Sequence, residues 1–174
     1  GRILEGEGPK YINSRELVSY KKGETLYGFH LAKEHIRQQK FVIFCEGNMD
    51  VIAYHQAGIK NAVAPLGTAL TPEQIKLVSG FVNSVYLSLD SDTAGQKATM
   101  KSIILCRKAG LTVKIIQLSQ GKDPSELLLN YGSQTLTDNV KSAILDNDYF
   151  FYGICFLENQ KDNEKNGRFH RRNV

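Results

Sequence analysis

Two acidic signatures give this chain its chemistry: Glu46-Gly47-Asn48-Met49-Asp50 and, some forty residues later, Asp90-Ser91-Asp92-Thr93-Ala94-Gly95. Each follows a short uncharged run, Phe41-Val42-Ile43-Phe44-Cys45 or Val85-Tyr86-Leu87-Ser88-Leu89, rich in β-branched and aromatic residues. Such runs predict strands buried on both faces of a parallel sheet. The acids then stand at strand ends. In open α/β sheets ligands bind beyond the carboxyl ends of the strands, so carboxylates from separate strands can converge there on one cation.

Alternate residues of an extended segment project to one side, so Asp90 and Asp92 can share a cation while Ser91 points away. Mg²⁺ takes oxygen ligands, often one or two carboxylates together with substrate phosphates, and several acids around a crevice therefore suggest phosphoryl chemistry. A second reading stays open, in which Asp90 is a turn acid and Asp92 an N-cap for a helix beginning at Thr93. Glu46 is poorly explained as a surface charge, because Gly47 beside it lets backbone or ligand approach closely. Asp50 falls in the first turn of the following helix, where the macrodipole favours an acid. It therefore reads either as metal-adjacent or as structural. Asp123-Pro124-Ser125-Glu126 has the form of a capping box, which would by itself explain Asp123.

Taken together, several blocks of this sequence resemble the Toprim domain of bacterial DnaG-type primases. The blocks are Glu46-Gly47-x-Met49-Asp50-Val51, Ala64-Pro65-Leu66-Gly67-Thr68-Ala69, Asp90-x-Asp92-x-Ala94-Gly95 and Lys122-Asp123-Pro124, in that order. Upstream, Gly1-Arg2-Ile3-Leu4, Pro9-Lys10-Tyr11-Ile12-Asn13-Ser14 and Lys22-Gly23-x-x-Leu26-Tyr27-Gly28 resemble the stretch that precedes Toprim in the primase RNA-polymerase core. The resemblance implies a DNA-directed RNA polymerase that makes short RNA primers from nucleoside triphosphates on single-stranded DNA. It implies catalytic roles for Glu46, Asp90 and Asp92, and Mg²⁺ or Mn²⁺, two or more ions, held by these residues with Asp123. Arg2, Lys10, Asn13 and Lys22 correspond to residues lining the groove that meets nucleic acid and the incoming nucleotide; without the resemblance they would read as a solvated face. Family members usually carry a second acid two residues after the first in the last block. Here that position is Ser125, which puts a metal subsite needing both acids in doubt.

The resemblance further implies partners: template, primer, nucleotides and, through a region outside this chain, a replicative helicase. Three alternatives share the same residues: the primase portion of a phage-type primase-helicase, a Toprim nuclease that hydrolyses phosphodiesters, and a non-catalytic nucleic-acid- or metal-binding module.

The elements that must position these residues alternate. Strand Phe41 to Cys45 leads to helix Asn48 to Gln56, strand Asn61 to Leu66 to helix Pro72 to Ser79, strand Ser84 to Asp90 to helix Thr93 to Ala109, and strand Thr112 to Leu118 follows. The clearest helix start is Thr71-Pro72-Glu73-Gln74, an N-cap, a first-turn proline and a glutamine placed for a capping box. Helices at Leu26 to Gln38 and from Ser133 onward flank this core. Helical crossovers between strands imply a parallel sheet covered on both faces.

The expected organisation is a partial N-terminal subdomain over residues 1–24, a Toprim domain over 25–147, and over 148–174 either the start of a helical region or a flexible tail. The absence of an initiator methionine and the start at Gly1-Arg2 suggest a fragment, lacking the zinc-binding and helicase-binding regions of an intact primase. The chain has 174 residues, enough for one ordinary domain core, and a mild net charge of +4 that fits a polyanionic partner without requiring one. Cys45, Cys106 and Cys155 are odd in number and far apart, which argues against a disulfide framework or a zinc site. They suit a reduced, cytoplasmic protein. His30, His35, His55 and His170 form no metal-ligand spacing, and no run is long and apolar enough to span a membrane.

Overall fold

The structure is a computed structural model that describes residues 14–18, 20–89 and 93–151. A 3₁₀ turn at Lys22–Glu24 precedes β1 (Leu26–Tyr27), α1 (Phe29–Gln39), β2 (Phe41–Cys45), α2 (Asn48–Gln56) and β3 (Ala62–Pro65). After these come α3 (Pro72–Ser79), β4 (Ser84–Ser88), α4 (Thr93–Lys108), β5 (Thr112–Ile115), α5 (Pro124–Lys141) and β6 (Ile144–Leu145). The strands form one mixed sheet of order β1-β3-β2-β4-β5-β6. Its centre, β3-β2-β4-β5, is parallel. The edge strands β1 and β6 run antiparallel to their neighbours.

The alternation of side chains along the strands divides the core in two. Val42 and Phe44 of β2, Val63 of β3, Val85 and Leu87 of β4 and Val113 and Ile115 of β5 pack with Ala32 and Ile36 of α1, Ile75 and Val78 of α3 and Ile103 and Cys106 of α4. Ile43 and Cys45, on the opposite face of β2, pack with Val51 and Tyr54 of α2 and Leu127 and Leu136 of α5. A strand buried on both faces has no polar side to display, which is why β2 reads as an unbroken apolar run. The Tyr54 hydroxyl meets the Ser88 hydroxyl at 2.8 Å, so the polar tip of a fully buried ring is satisfied at the end of β4.

The expected alternation of strands and helices is present, with three differences. Leu26 and Tyr27 form the edge strand β1, paired Leu26 to Pro65 and Tyr27 to Ala64, where a helix was expected from Leu26. Gly28 separates strand from helix at φ +77°, and a Cβ there would stand 3.0 Å from Val51 Cγ1. Both the backbone conformation and the close approach favour glycine. Second, the sheet is mixed, because the edge strands β1 and β6 pair antiparallel; at two residues each they carry too few side chains for a period to show in the sequence. Third, α5 begins at Pro124, well before Ser133. It is broken at Gly132 (φ 81°, ψ 172°), so Ser133 opens only its second half. The β4 strand ends at Ser88, two residues short of Asp90, and β5 ends at Ile115, although Ile116 N–H still bonds Leu87 O at 2.9 Å.

Candidate functional site

A cavity of about 280 Å³ opens at the carboxyl ends of the central strands. Phe44, Cys45 and Glu46 from β2 and its end, Pro65 with Thr68, Ala69 and Leu70 after β3, Leu87 and Leu89 from β4 and beyond, and Gly95, Ala98 and Ser102 of α4 line it. Residues from the first three sequence blocks therefore meet in one place. The walls are largely apolar. Glu46, exposed at the end of β2, is the acid among the cavity's lining residues. The cavity lies where ligands bind in open α/β sheets.

The local sequence explains how each element delivers its residue. β2 ends at Cys45 because Gly47, at φ −138° and ψ 171°, turns the chain into α2. Asp50, three residues on, reaches back and accepts a hydrogen bond from Gly47 N–H at 2.9 Å. It is 8% exposed and this bond ties it to the start of α2, while Glu46 is among the residues lining the cavity. Burial, and then the Asp50 charge, push the Cys45 thiol well above its ordinary range. Cys45 is accordingly a neutral core group rather than a nucleophile. Cys106, pushed up to about 12 by burial, is equally inert.

Lys122-Asp123-Pro124, the fourth block, does not line the cavity. Asp123 is the N-cap of α5: its Oδ1 accepts from Glu126 N–H at 2.8 Å, and Glu126 Oε2 in turn accepts from Lys122 N–H at 3.0 Å. Both acids thus accept from backbone N–H groups at a helix start. The Ser125 hydroxyl is buried and has no hydrogen-bond partner among the described residues.

Lys22 lies in the 3₁₀ turn, half-buried, with its N–H donating to Glu16 Oε1 at 3.0 Å. Arg2, Lys10, Asn13, Asp90 and Asp92 fall outside the described residues. Among the described residues no three His, Cys, Asp or Glu side chains converge as a metal site. No described helix is long and apolar enough to cross a membrane. Leu70, Leu89, Ala98 and Ser102 also line the cavity; each is apolar or small, none carries a chemical signal in the sequence, and only their placement beyond the strands and on α4 reveals them.

The family described as "Toprim-like" matches residues 43–128, and the family described as "DNA primase catalytic core, N-terminal domain" matches residues 1–33. The DNA primase of Treponema pallidum is 44% identical over 148 residues, 85% of this chain and 24% of that protein. The crystal structure of the zinc-binding and RNA polymerase domains of the Aquifex aeolicus primase superposes with a TM-score of 0.76 at 42% identity, over 83% of this chain and 36% of that one. A DnaG primase catalytic domain bound to single-stranded DNA has a TM-score of 0.76 at 31% identity, over 88% of this chain and 49% of that one. The chain belongs to the DnaG-type bacterial primase family. It spans about a quarter of the length of the curated relatives it matches.

Proposed function

We propose that this chain forms the Toprim part of a DNA primase catalytic core, a DNA-directed RNA polymerase that synthesises short RNA primers on single-stranded DNA. The observation that carries the reading is the convergence of Glu46, Thr68 and Gly95, from three separate blocks, on one cavity at the strand ends. The relative bound to single-stranded DNA supports the choice of template. In the reaction, the 3′-hydroxyl of the primer attacks the α-phosphate of the next nucleotide and pyrophosphate leaves.

The donor chemistry suits a hard divalent cation. Glu46 offers carboxylate oxygens at the cavity, Asp90 and Asp92 follow the end of β4, and no sulfur or imidazole is needed. Glu46, Asp90 and Asp92 would hold Mg²⁺ or Mn²⁺, with Asp123 a further ligand only if it keeps an oxygen in reach beside its capping bond. Bound there, such ions would offset the charge that develops on the α-phosphate and orient the triphosphate. Arg2, Lys10 and Lys22 would neutralise phosphates of template or nucleotide, and Asn13 would add a hydrogen bond. The contact with a replicative helicase would fall to a region beyond this chain, and the work would be done in the cytoplasm at the replication fork.

The test is primer synthesis by the polymerase core containing this segment, with labelled nucleotides and a single-stranded template resolved on a gel. Metal-dependent RNA products of short length are expected. DNA cleavage without nucleotides would replace this reading with the nuclease one, and binding without either reaction would leave a non-catalytic module.

A further inference from the structure

The start of α3 does more than begin a helix. Gln74 is fully buried, and its side chain makes three hydrogen bonds. Its Oε1 accepts from Thr71 N–H at 3.1 Å, completing the capping box with Gln74 N–H, which donates to Thr71 Oγ1 at 3.1 Å. Its Nε2 donates to two carbonyls some fifty residues away, Lys22 O and Thr25 O, each at 2.9 Å. Thr71 adds a fourth tie, its hydroxyl donating to Gly23 O at 2.5 Å. Gly23 is seated closely: a Cβ there would lie 3.6 Å from Thr71 Cγ2. Both Nε2 hydrogens are thereby used, so the amide's orientation follows from its partners. A helix cap needs only the acceptor. The two donors serve the Lys22–Thr25 turn.

Thr71 also closes the segment after β3 whose Thr68, Ala69 and Leu70 line the cavity. The same two side chains therefore grip the basic turn on one side and the end of a cavity wall on the other. We propose that Gln74, with Thr71, is a positioning residue that fixes the Lys22–Thr25 turn relative to the cavity, and so sets where Lys22 presents its charge to nucleic-acid or nucleotide phosphate. This rests on the phosphate-binding reading of Lys22 given above and adds the device that holds Lys22 in place. Neither residue touches substrate. The turn's internal bonds, Thr25 Oγ1 to Lys21 O at 2.9 Å and Lys21 Nζ to Glu24 Oε1 at 3.0 Å, shape it without attaching it to the sheet. Beyond the covalent link to β1, which pairs with β3, three of the turn's carbonyls are held by Gln74 of α3 and its N-cap Thr71.

The experiment is fluorescence anisotropy of the chain with a labelled single-stranded oligonucleotide over a range of salt, alongside amide hydrogen exchange. Lys22→Ala should lower the salt slope by roughly 0.7, the loss of one phosphate contact. Gln74→Met keeps the volume and removes both donors; Gln74→Glu keeps the acceptor that caps α3 while offering the turn no amide hydrogens. Either should lower the slope towards that of Lys22→Ala and speed exchange in the Lys22–Thr25 turn, with β2 and β4 still protected. Thr71→Ser, which retains the hydroxyl, should behave as the unmodified chain. Adding Gln74→Glu to Lys22→Ala should lower the slope no further. If Lys22→Ala lowers the slope and both Gln74 variants bind normally, the positioning role is wrong. A further loss in the double variant would also overturn it, since Gln74 would then act independently of Lys22. If Lys22→Ala itself changes nothing, the phosphate-binding reading of Lys22 falls and takes this inference with it, an outcome separate from the first.

Discussion

The starts of α2 and α5 look alike in sequence and do different work. Each brings acids to the start of a helix beyond a strand: Glu46 and Asp50 at one, Asp123 and Glu126 at the other. At α5 both carboxylates accept backbone N–H groups, Asp123 from Glu126 and Glu126 from Lys122. At α2 the duties divide. Asp50 takes the Gly47 N–H, while Glu46, one residue earlier, lines the cavity. The lesson is one of position along the chain. An acid at N-cap or N3 is within reach of unpaired N–H groups and satisfies them. An acid on the residue that leaves the strand, ahead of a glycine N-cap, is carried to the rim of the sheet.

The comparison breaks most sharply at Glu46. In a polymerase core containing this segment, Glu46→Gln keeps size and hydrogen bonding and removes only charge. Primer synthesis should fall by about 10² or more while DNA binding and Tm hold, the scale of losing a group that acts mainly in the transition state. Near-normal synthesis by the Gln variant would make Glu46 no more functional than Asp50. Replacing Asp90 and Asp92 together with Asn should sharply weaken Mn²⁺ binding in calorimetric titration and leave the fold intact, because clustered like charges repel when no cation is present. Unchanged affinity would remove both from the metal site.

Asp50 should report on stability instead. Asp50→Ala leaves the Gly47 N–H without its carboxylate in a largely buried setting and should cost about 1–2 kcal/mol in denaturant unfolding. A loss of activity at unchanged stability would move Asp50 from the helix start to the chemistry. The smallest effect, and the one that sharpens the comparison furthest, is at Asp123. Asp123→Ala should cost about 1 kcal/mol as a lost N-cap, and Asp123→Asn should restore nearly all of it. If Asp123 also serves a cation, the Asn variant will be stable yet need several-fold more Mg²⁺ for primer synthesis. An Asn variant with normal Mg²⁺ dependence would make the two helix starts wholly different in kind.

Much of the fold was legible because the relevant signals are local. The central strands stand out as short apolar runs between helix-like segments, and Thr71-Pro72-Glu73-Gln74 announces α3 with both bonds of its capping box present. The edge strands were not legible. β1 and β6 are two residues each, held by pairing with β3 and β5, and nothing in Leu26-Tyr27 or Ile144-Leu145 declares a partner elsewhere in the chain. Gly132 shows the intermediate case: the helix from Ser133 was expected, but the continuation from Asp123 through a break at the glycine was not.

For the site, sequence by itself determined which residue types could do the chemistry, the acids of the blocks and the carboxylate-glycine step at Glu46-Gly47. It also marked Gln74 as a helix-start residue and offered that reading for Asp123 beside the metal-ligand one, since capping depends on spacings of three residues that any reader of the chain can count. Tertiary structure placed Glu46 at the cavity and gave Asp50 and Asp123 backbone N–H groups to accept from. It brought Thr68 and Gly95 beside Glu46 across a sheet whose order is not the order of the sequence. Only packing could give the Gln74 amide its second role, because Lys22 O and Thr25 O lie 52 and 49 residues away along the chain and become neighbours only when α3 docks beside the turn. Hydrogen bonds to near neighbours are written in the local sequence; those to distant carbonyls exist only once the core has formed.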